Sequence, residues 1–302
     1  MTRLFRTIEQ LREWRVEQLI NKNIVGFVPT MGALHQGHLK LVEQSLRESN
    51  KTVVSIFVNP AQFAPHEDLD TYPRTLEGDL SQLRRLSNDI TVFTPSTTQM
   101  YPTGIEQDTH KQTGAFIEMA NLSDKMEGIS RPTFFRGVAT VVTKLFNVVQ
   151  PDLAFFGQKD IQQALILRRM CKDLLVQYPT PANLRISPTA RDPVSHLALS
   201  SRNAYLSEEQ RSQVAPLLYK ALQAGKRAYE SGVTCRQDIL HATTQHTTHA
   251  QQQGAKMDYI QLNDASSFKV VDSVGNNGAI LSAAMYVGNT RLIDNVLLGM
   301  SV

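Results

Sequence analysis

Short, nearly continuous apolar runs alternate with stretches of helical spacing from Thr7 to Leu175. Thr7 and Gln10 have the spacing of a capping box, which predicts a helix running to about Asn21. Ile24 to Val28 is a short apolar run ended by Pro29, the pattern of a buried strand. A turn with Gly32 and Gly37 follows. Helical spacing then returns from His38 to Ser49 through Leu39, Leu41, Val42 and Leu46. Thr52 to Val58 reads as the next strand, Leu76 to Leu86 as a helix and Ile90 to Phe93 as a strand. Val138 to Val149 reads as a helix, Leu153 to Phe156 as a strand and Ile161 to Leu175 as a helix. Strands that alternate with helices, and are apolar enough to be covered on both faces, indicate a parallel doubly wound α/β sheet.

The pattern changes after about Ala190. Glu208 to Tyr229 and Gln237 to Gln253 read as helices, the second polar and low in complexity. Tyr259 to Leu262, Ala279 to Val287 and Arg291 to Ile293 read as short strands. Helices followed by strands predict a smaller C-terminal α+β domain. A boundary near Pro188 divides the chain into residues 1–188 and 189–302. The segment from Ser96 to Pro132 contains Gly104, Gly114 and Gly128 with weak periodicity, and reads as a loop-rich, mobile cover.

A chain of 302 residues buries about three quarters of the surface its unfolded form exposes, so its core needs no disulfide or metal. Hydrophobic residues make up 41% and charged residues 20%, as in an ordinary soluble globule. Net charge is +3, too small an excess to imply a nucleic-acid or membrane partner. Cys171 and Cys235 form no framework and lack metal-ligand spacing, which fits a reducing cytoplasm. Arg3, Arg6, Arg12 and Arg15 are interleaved with Glu9, Glu13 and Glu17, so the N-terminus reads as an amphipathic helix, with Phe5 and Trp14 packing it on the sheet, and not as an acid-poor transit peptide. No apolar run approaches the roughly 18 residues of a membrane helix. His241, His246 and His249 lie in a Gln/Thr-rich helix and read as a solvated face.

The strongest chemical signal is the string Pro29-Thr30-Met31-Gly32-Ala33-Leu34-His35-Gln36-Gly37-His38. It follows the first apolar strand and opens a helix. Ligands of open α/β sheets bind beyond the carboxyl ends of strands. A helix N-terminus there offers N–H groups and positive potential to a phosphate. Gly37 lets backbone approach, and two imidazoles three residues apart donate hydrogen bonds to phosphate oxygens. An isolated H-x-G-H is more simply a cap with two surface histidines; the preceding strand and Thr-Met-Gly turn favour the phosphate-directed reading.

H-x-G-H after the first strand of a Rossmann-like sheet resembles the nucleotidyltransferase superfamily. The full P-T-M-G-A-L-H-x-G-H string resembles the pantothenate synthetase (pantoate–β-alanine ligase) family. Further blocks follow in that family's order. They are Ser55 to Phe63, Tyr72-Pro73-Arg74-Thr75, Glu127-Gly128, Arg131-Pro132, Phe135-Arg136-Gly137-Val138, Gly157 to Gln163, Leu199-Ser200-Ser201-Arg202-Asn203 and Arg291-Leu292-Ile293-Asp294-Asn295. The resemblance spans about residues 5 to 296. It implies a Rossmann-like doubly wound sheet that binds ATP and pantoate, a C-terminal α+β lid domain, and a homodimer joined through the larger domain.

The activity it implies is a two-step ligation. Pantoate's carboxylate attacks the α-phosphorus of ATP, giving pantoyl adenylate and pyrophosphate. The amine of β-alanine then attacks the activated carbonyl, giving pantothenate and AMP. Mg²⁺ accompanies ATP, and the sequence shows neither a nucleophile elbow nor a zinc cluster. By the same resemblance Met31, Gly32, Ala33, Leu34, His35, Gln36, Gly37 and His38 lie along ATP, with His35, His38 and Lys159 as catalytic groups. Gly157, Gln158, Lys159 and Asp160 hold the nucleotide, Ala190 meets adenine, and Leu199, Ser200, Ser201 and Arg202 form a mobile loop on the outer phosphates. Gln62 and Gln163 match the pantoate-binding positions, and Asn59 lies near the second substrate.

Three departures stand out. Phe134 occupies a position where the family often has His, Gln158 replaces a commoner Glu, and Ser195-His196 with an extra residue near Pro193-Val194 replaces Asp-Gly before the Ser-Ser-Arg loop. The Phe134 and Ser195-His196 departures motivate one alternative, a catalytically impaired nucleotide-binding relic, and the shared H-x-G-H motivates another, a nucleotidyltransferase that keeps the nucleotide on its product.

Overall fold

Val25, Phe27 and Val28 are completely buried, which places their strand inside a sheet covered on both faces. The computed structural model describes residues 2–302. Its six-stranded sheet contains β1 (Arg3–Phe5), β2 (Val25–Thr30), β3 (Lys51–Ile56), β4 (Ile90–Phe93), β5 (Leu153–Gly157) and β6 (Leu184–Ser187). The spatial order is β1-β4-β3-β2-β5-β6, and every pair is parallel. From β2 the chain steps outward through β3 to β4, then returns to lay β5 on the other side of β2. The strand order therefore reverses between β2 and β5, where doubly wound sheets bind ligands.

Pro29 does not end β2, as the sequence pattern suggested, but lies within it, opposite Ser55 of β3. The Thr30 carbonyl accepts from Phe57 N–H at 3.0 Å, so Thr30 bonds toward β3 and the alternation turns Pro29 toward β5. Proline has no N–H to give to that ladder. The register with β5 covers only Gly26 and Phe27, whereas that with β3 continues to Thr30. The proline thus ends one side of the strand and not the strand itself.

The helices are α1 (Ile8–Ile20), α2 (Gln36–Glu48), α3 (Leu76–Leu86), α4 (Thr97–Met100), α5 (Glu127–Ser130), α6 (Phe134–Val149) and α7 (Ile161–Asp173). Thr7 and Gln10 form the capping box of α1. Its buried residues, Leu11, Trp14, Arg15 and Gln18, have helical spacing but are half polar. Arg15 is accommodated because it donates to the Gln150 carbonyl at 2.9 Å and to Asp152 at 3.2 Å. The Phe5 and Trp14 rings lie 6.5 Å apart. α2 starts two residues before its predicted limit because His35 caps it, and α6 starts four residues early at Phe134. Apart from the single-turn helices α4 and α5, the segment between Ser96 and Pro132 is largely irregular, yet Met100, Tyr101, Met119 and Met126 anchor it in the core.

This sheet and its helices, through Gly157 and again over Gln162–Ser187, form one compact unit. The second contains Pro188–Val302 and also the tetrapeptide Gln158–Ile161. In it β7 (Ala255–Asp264), β8 (Ala279–Val287) and β9 (Thr290–Leu298) form an antiparallel sheet in sequential order. The helices α8 (Leu217–Glu230) and α9 (Arg236–Gln252) belong to this unit. The predicted helix from Glu208 is broken, since Gln210–Val214 forms a π-helical turn and Pro216 precedes α8. In α9 Ile239, Thr243, Thr247 and Ala250 face inward, and His241, His246 and His249 are exposed. Among the described residues no helix is long and apolar enough to cross a membrane.

One glycine fixes how α6 packs on the turn that carries Gln62. A Cβ on Gly137, in α6, would lie 2.1 Å from the Ala61 carbonyl oxygen and 2.7 Å from Gln62 Cα. Helix backbone thus rests directly on the turn Pro60–Gln62. Alanine favours a helix over glycine by about 1 kcal/mol. Overpacking costs about 1–3 kcal/mol, and backbone pressed on backbone lies at the upper end because neither side can rotate away. Gly137→Ala is therefore expected to lower the melting temperature by roughly 2–6 °C. A melting temperature at or above that of the parent protein would exclude this packing.

Candidate active site

At the carboxyl end of β2 the chain turns through two left-handed residues, Gly32 (φ 86°) and Ala33 (φ 49°). Such a turn points successive N–H groups at one spot, a natural seat for an anion. Here the anion is internal. Asp79, buried in the first turn of α3, accepts from Ala33 N–H at 3.0 Å and Leu34 N–H at 2.8 Å, and from the Thr75 hydroxyl at 3.2 Å. Gln82 holds the Leu34 carbonyl at 3.1 Å. Thr30 braces the other side, donating to the Ser55 carbonyl and accepting from Gly32 N–H. Ala33 and Leu34 therefore give their N–H groups to Asp79. The sequence gives little sign of this, since an acid in a first helical turn is common and its partners lie some 45 residues away.

The histidines are held by the helix they open. His35 Nδ1 accepts from Gly37 N–H at 3.1 Å, and His38 Nδ1 accepts from His35 N–H at 3.4 Å. The rings pack with centroids 4.1 Å apart. His38 N–H also bonds the His35 carbonyl at 2.8 Å. The expectation that this helix end offers its N–H groups to a phosphate is thereby corrected for Gly37 and His38, whose N–H groups are capped by His35. Because both Nδ1 atoms accept, each neutral ring carries its proton on Nε2. The two rings, tilted by 32°, thus keep Nε2 as the nitrogen that carries the hydrogen. Gln36, between them, is exposed, and Met31 is half-buried.

A second network surrounds Gln62, and its polarity can be followed bond by bond. Asn59 Nδ2 donates to the Gly137 carbonyl at 3.2 Å and to Gln62 Oε1 at 3.1 Å. Its Oδ1 accepts from the Tyr101 hydroxyl at 2.7 Å. Burial pushes the Tyr101 phenol well up, although its bond to Asn59 opposes the shift, so the group remains an O–H donor. The Gly137 carbonyl accepts only, which fixes the Asn59 amide, which in turn fixes the Gln62 amide. Gln62 Nε2 is then the donor end, and it donates to Met31 Sδ at 3.0 Å. This brings Met31, Asn59 and Gln62 together, with Asn59 engaged at every polar atom. Arg131 steadies the same loop by donating to the Gln62 carbonyl at 3.2 Å and gripping Glu67 through two bonds, at 2.6 and 2.8 Å. Its guanidinium lies 4.0 Å over the Phe134 ring. Tyr101 escapes sequence reasoning, and Arg131 enters it only as part of a matched block, because their contacts span 42 and 69 positions.

Beyond β5, Gly157 ends the strand, and Gln163 lies half-buried on α7. Its neighbour Gln162 is buried and organises the preceding loop, donating to the Leu122 and Lys125 carbonyls and accepting from Glu127 N–H.

In the second unit Lys159 Nζ lies 3.5 Å from Asp160. Asn295 donates to the carbonyls of Gln158 and Lys159, both at 2.9 Å. Ala190 stands opposite Leu199, whose N–H it accepts at 2.9 Å, in a hairpin closed by the Arg191–Ala198 bridge. The Ser195-His196 departure is absorbed here. Ser195 and Val194 N–H groups and the Ser195 hydroxyl bond the Asp192 carboxylate and hold it below the usual range, and His196 (φ 62°) completes the turn. The hairpin leads into Ser200, whose hydroxyl accepts from Arg202 N–H at 3.3 Å and starts the turn Ser201–Tyr205. Among the described residues no three His, Cys, Asp or Glu side chains gather as a metal cage.

Comparisons with known proteins agree over almost the whole chain. The family model described as pantoate-beta-alanine ligase matches residues 3–297. A pantoate–beta-alanine ligase of Saccharomyces cerevisiae is 42% identical, covering 98% of this chain and all of that protein. The crystal structure of pantothenate synthetase from Thermus thermophilus superposes with a TM-score of 0.84 at 38% identity, over 98% of this chain and 99% of that one. A Francisella tularensis pantoate-beta-alanine ligase, solved with β-γ ATP and β-alanine, gives 0.76 at 32% identity, with 98% of each chain covered. Matched by the family model over residues 3–297 and by relatives over almost its full length, this chain belongs to the pantoate–β-alanine ligase family.

Proposed function

We infer that this chain condenses pantoate with β-alanine at the expense of ATP, through an enzyme-bound pantoyl adenylate. The observation that carries the reading is the fixed polarity of the Gln62 amide, whose Nε2 end is presented at Met31, at the carboxyl end of β2. A buried amide of fixed orientation, its Nε2 turned to a weak thioether acceptor, suits the carboxylate and hydroxyl oxygens of a hydroxy acid, which accept more strongly. Gln163 serves the same substrate. Asn59 acts by orienting Gln62, since its own polar atoms are engaged.

In the first step a pantoate carboxylate oxygen forms a bond to the α-phosphorus as the bond to the β-phosphate oxygen breaks, and pyrophosphate leaves. In the second the β-alanine amine bonds the acyl carbon and loses one proton to solvent, the acyl–phosphate bond breaks, and AMP leaves with the electron pair. Negative charge on the phosphates rises in the first step, so preorganised donors do most of the work. His35 and His38 supply Nε2–H donors, Lys159 a point charge, and Ser200, Ser201 and Arg202 further phosphate donors. Gly157, Gln158, Asp160 and the Ala190–Leu199 hairpin hold the rest of the nucleotide. Mg²⁺ enters as part of the ATP substrate. Asp160 would serve the ribose or a water on that ion. Neither a nucleotide-retaining transferase nor a relic is favoured by a chain that keeps both acid-directed and phosphate-directed groups.

Isotope exchange between ATP and pyrophosphate is expected to require pantoate and Mg²⁺ but not β-alanine. Exchange seen only with β-alanine would overturn this order. In the same assay His35→Ala, His38→Ala and Lys159→Ala are each expected to lose about 10² to 10³ in rate while remaining folded. A folded variant within about threefold of the parent rate removes that residue from the mechanism.

Phe134 supports Arg131 and performs no proton transfer. Phe134→Ala loses ring burial and a cation–π face, together roughly 1–2.5 kcal/mol for a half-exposed ring, and should lower the melting temperature while exchange at saturating pantoate stays within about threefold. A tenfold gain in single-turnover adenylation by Phe134→His, worth about 1.4 kcal/mol, would instead show that a proton donor is missing.

We further propose a cytoplasmic homodimer joined through the first unit. Sedimentation velocity at micromolar concentration should give twice the chain mass, and a monomer mass would exclude the pairing.

A further inference from the structure

The block Arg291 to Asn295 matches the family near the C-terminus, yet the proposed mechanism uses none of it. Arg291 pairs with Asp258 at 2.8 Å on the surface of the small sheet. Asn295 is different. It is 2% exposed on β9, and every polar atom of its side chain is engaged with the segment that carries Lys159. Its Nδ2 donates to two successive carbonyls, Gln158 and Lys159, each at 2.9 Å. Its Oδ1 accepts from Gln158 Nε2 at 3.3 Å.

We infer that Asn295 is the positioning residue for Lys159: its carboxamide, closed by Gln158, fixes the peptide planes on both sides of the lysine Cα. The inference rests on the proposed role of Lys159 at the phosphates. Lysine is a point charge on a flexible stem of four carbons, so its placement depends on how firmly its backbone is anchored. Two donors from one planar NH₂ group fix adjacent carbonyls in a way a single bond does not. The Gln158 departure fits this arrangement, because a glutamine amide donates to Asn295 Oδ1, whereas an ionised glutamate has no hydrogen to give.

The anchor is itself anchored. Asn295 N–H donates to Asp294 Oδ1 at 2.8 Å. Asp294 is held by Arg191 through two bonds, at 2.6 and 2.9 Å, and the Arg191 guanidinium lies 3.4 Å over the Tyr219 ring. Arg191 also reaches the His196 carbonyl at 3.3 Å. Neighbouring residues of one strand thus hold the Lys159 turn and the hairpin that leads from Ala190 to Ser200.

The test is pantoate-dependent ATP–pyrophosphate exchange in the full-length protein. Asn295→Ala is expected to lower the rate about 10²-fold, the effect of misplacing a reacting group by about an ångström, with the KM for pantoate unchanged within twofold. Because Asn295 acts through Lys159, the double variant Lys159→Ala/Asn295→Ala should match Lys159→Ala within about threefold. Gln158→Leu changes a half-buried turn residue, and so decides the matter even if Asn295→Ala fails to fold. It should lose about tenfold, again with no further loss on top of Lys159→Ala. A normal rate in the folded Asn295 or Gln158 variant, beside a crippled Lys159→Ala, overturns the positioning role alone. A further large fall in either double variant does the same. Absence of pantoate-dependent exchange in the parent protein overturns the ligase reading and this inference with it.

Discussion

The nitrogen of Pro29 carries no hydrogen, and it faces β5. A central strand normally bonds along both edges, yet β2 stops bonding to β5 after Phe27 and continues beside β3 to Thr30. Two strand ends with no ladder between them leave backbone that something else must organise. On the β2 side it is organised by Thr30, by Asp79 seated in the Gly32-Ala33-Leu34 turn, and by His35 capping α2. The histidines stand where they do because the strand next to them is only half paired.

Neutral groups build the network around Gln62 in the first unit. From the Gly137 carbonyl to Asn59 to Gln62, each hydrogen bond fixes the orientation of the next amide, and Tyr101 closes the chain from the other side. Lys144 completes the support, lying 3.9 Å over the Tyr101 ring and donating to the Met100 carbonyl, with burial lowering its ammonium's pKa. A buried network of this kind is rigid only when every member is satisfied, since one orphaned group costs about 1–3 kcal/mol. Here Asn59 is satisfied at all its polar atoms. Gly137 is therefore bound twice over, by the space it leaves for Ala61 and by the carbonyl it offers to Asn59.

Local signals carried much of this architecture. α3, β4 and β8 have the limits their patterns predict, because each is a periodic run bounded by turn residues. The α1 capping box was equally legible. What escaped was set by distant partners. β1 has three residues and exists through its pairing with β4, and β6 has four with only Leu184 and Ile186 buried. β7 and β9 run well past their apolar cores because β8 pairs with them along its whole length. At the site, the H-x-G-H string and the glutamines could be named from sequence. Asp79 and Tyr101 could not, since nothing local distinguishes an acid in a first turn or a tyrosine in a loop, and Arg131 stood out only within a matched block, without its partners.

The tetrapeptide Gln158–Ile161 lies between β5 and α7 in the chain but belongs to the unit that begins at Pro188. Recombination among related genes would feel this arrangement. A crossover at Pro188 divides the chain where its composition changes, yet it separates Gln158 from the Asn295 that binds it. A chimera drawing its C-terminal part from a relative with glutamate at the Gln158 position would place this chain's glutamine against a strand selected beside a carboxylate. The inheritable module is thus discontinuous: residues 158–161 and the C-terminal segment are exchanged intact only as a pair.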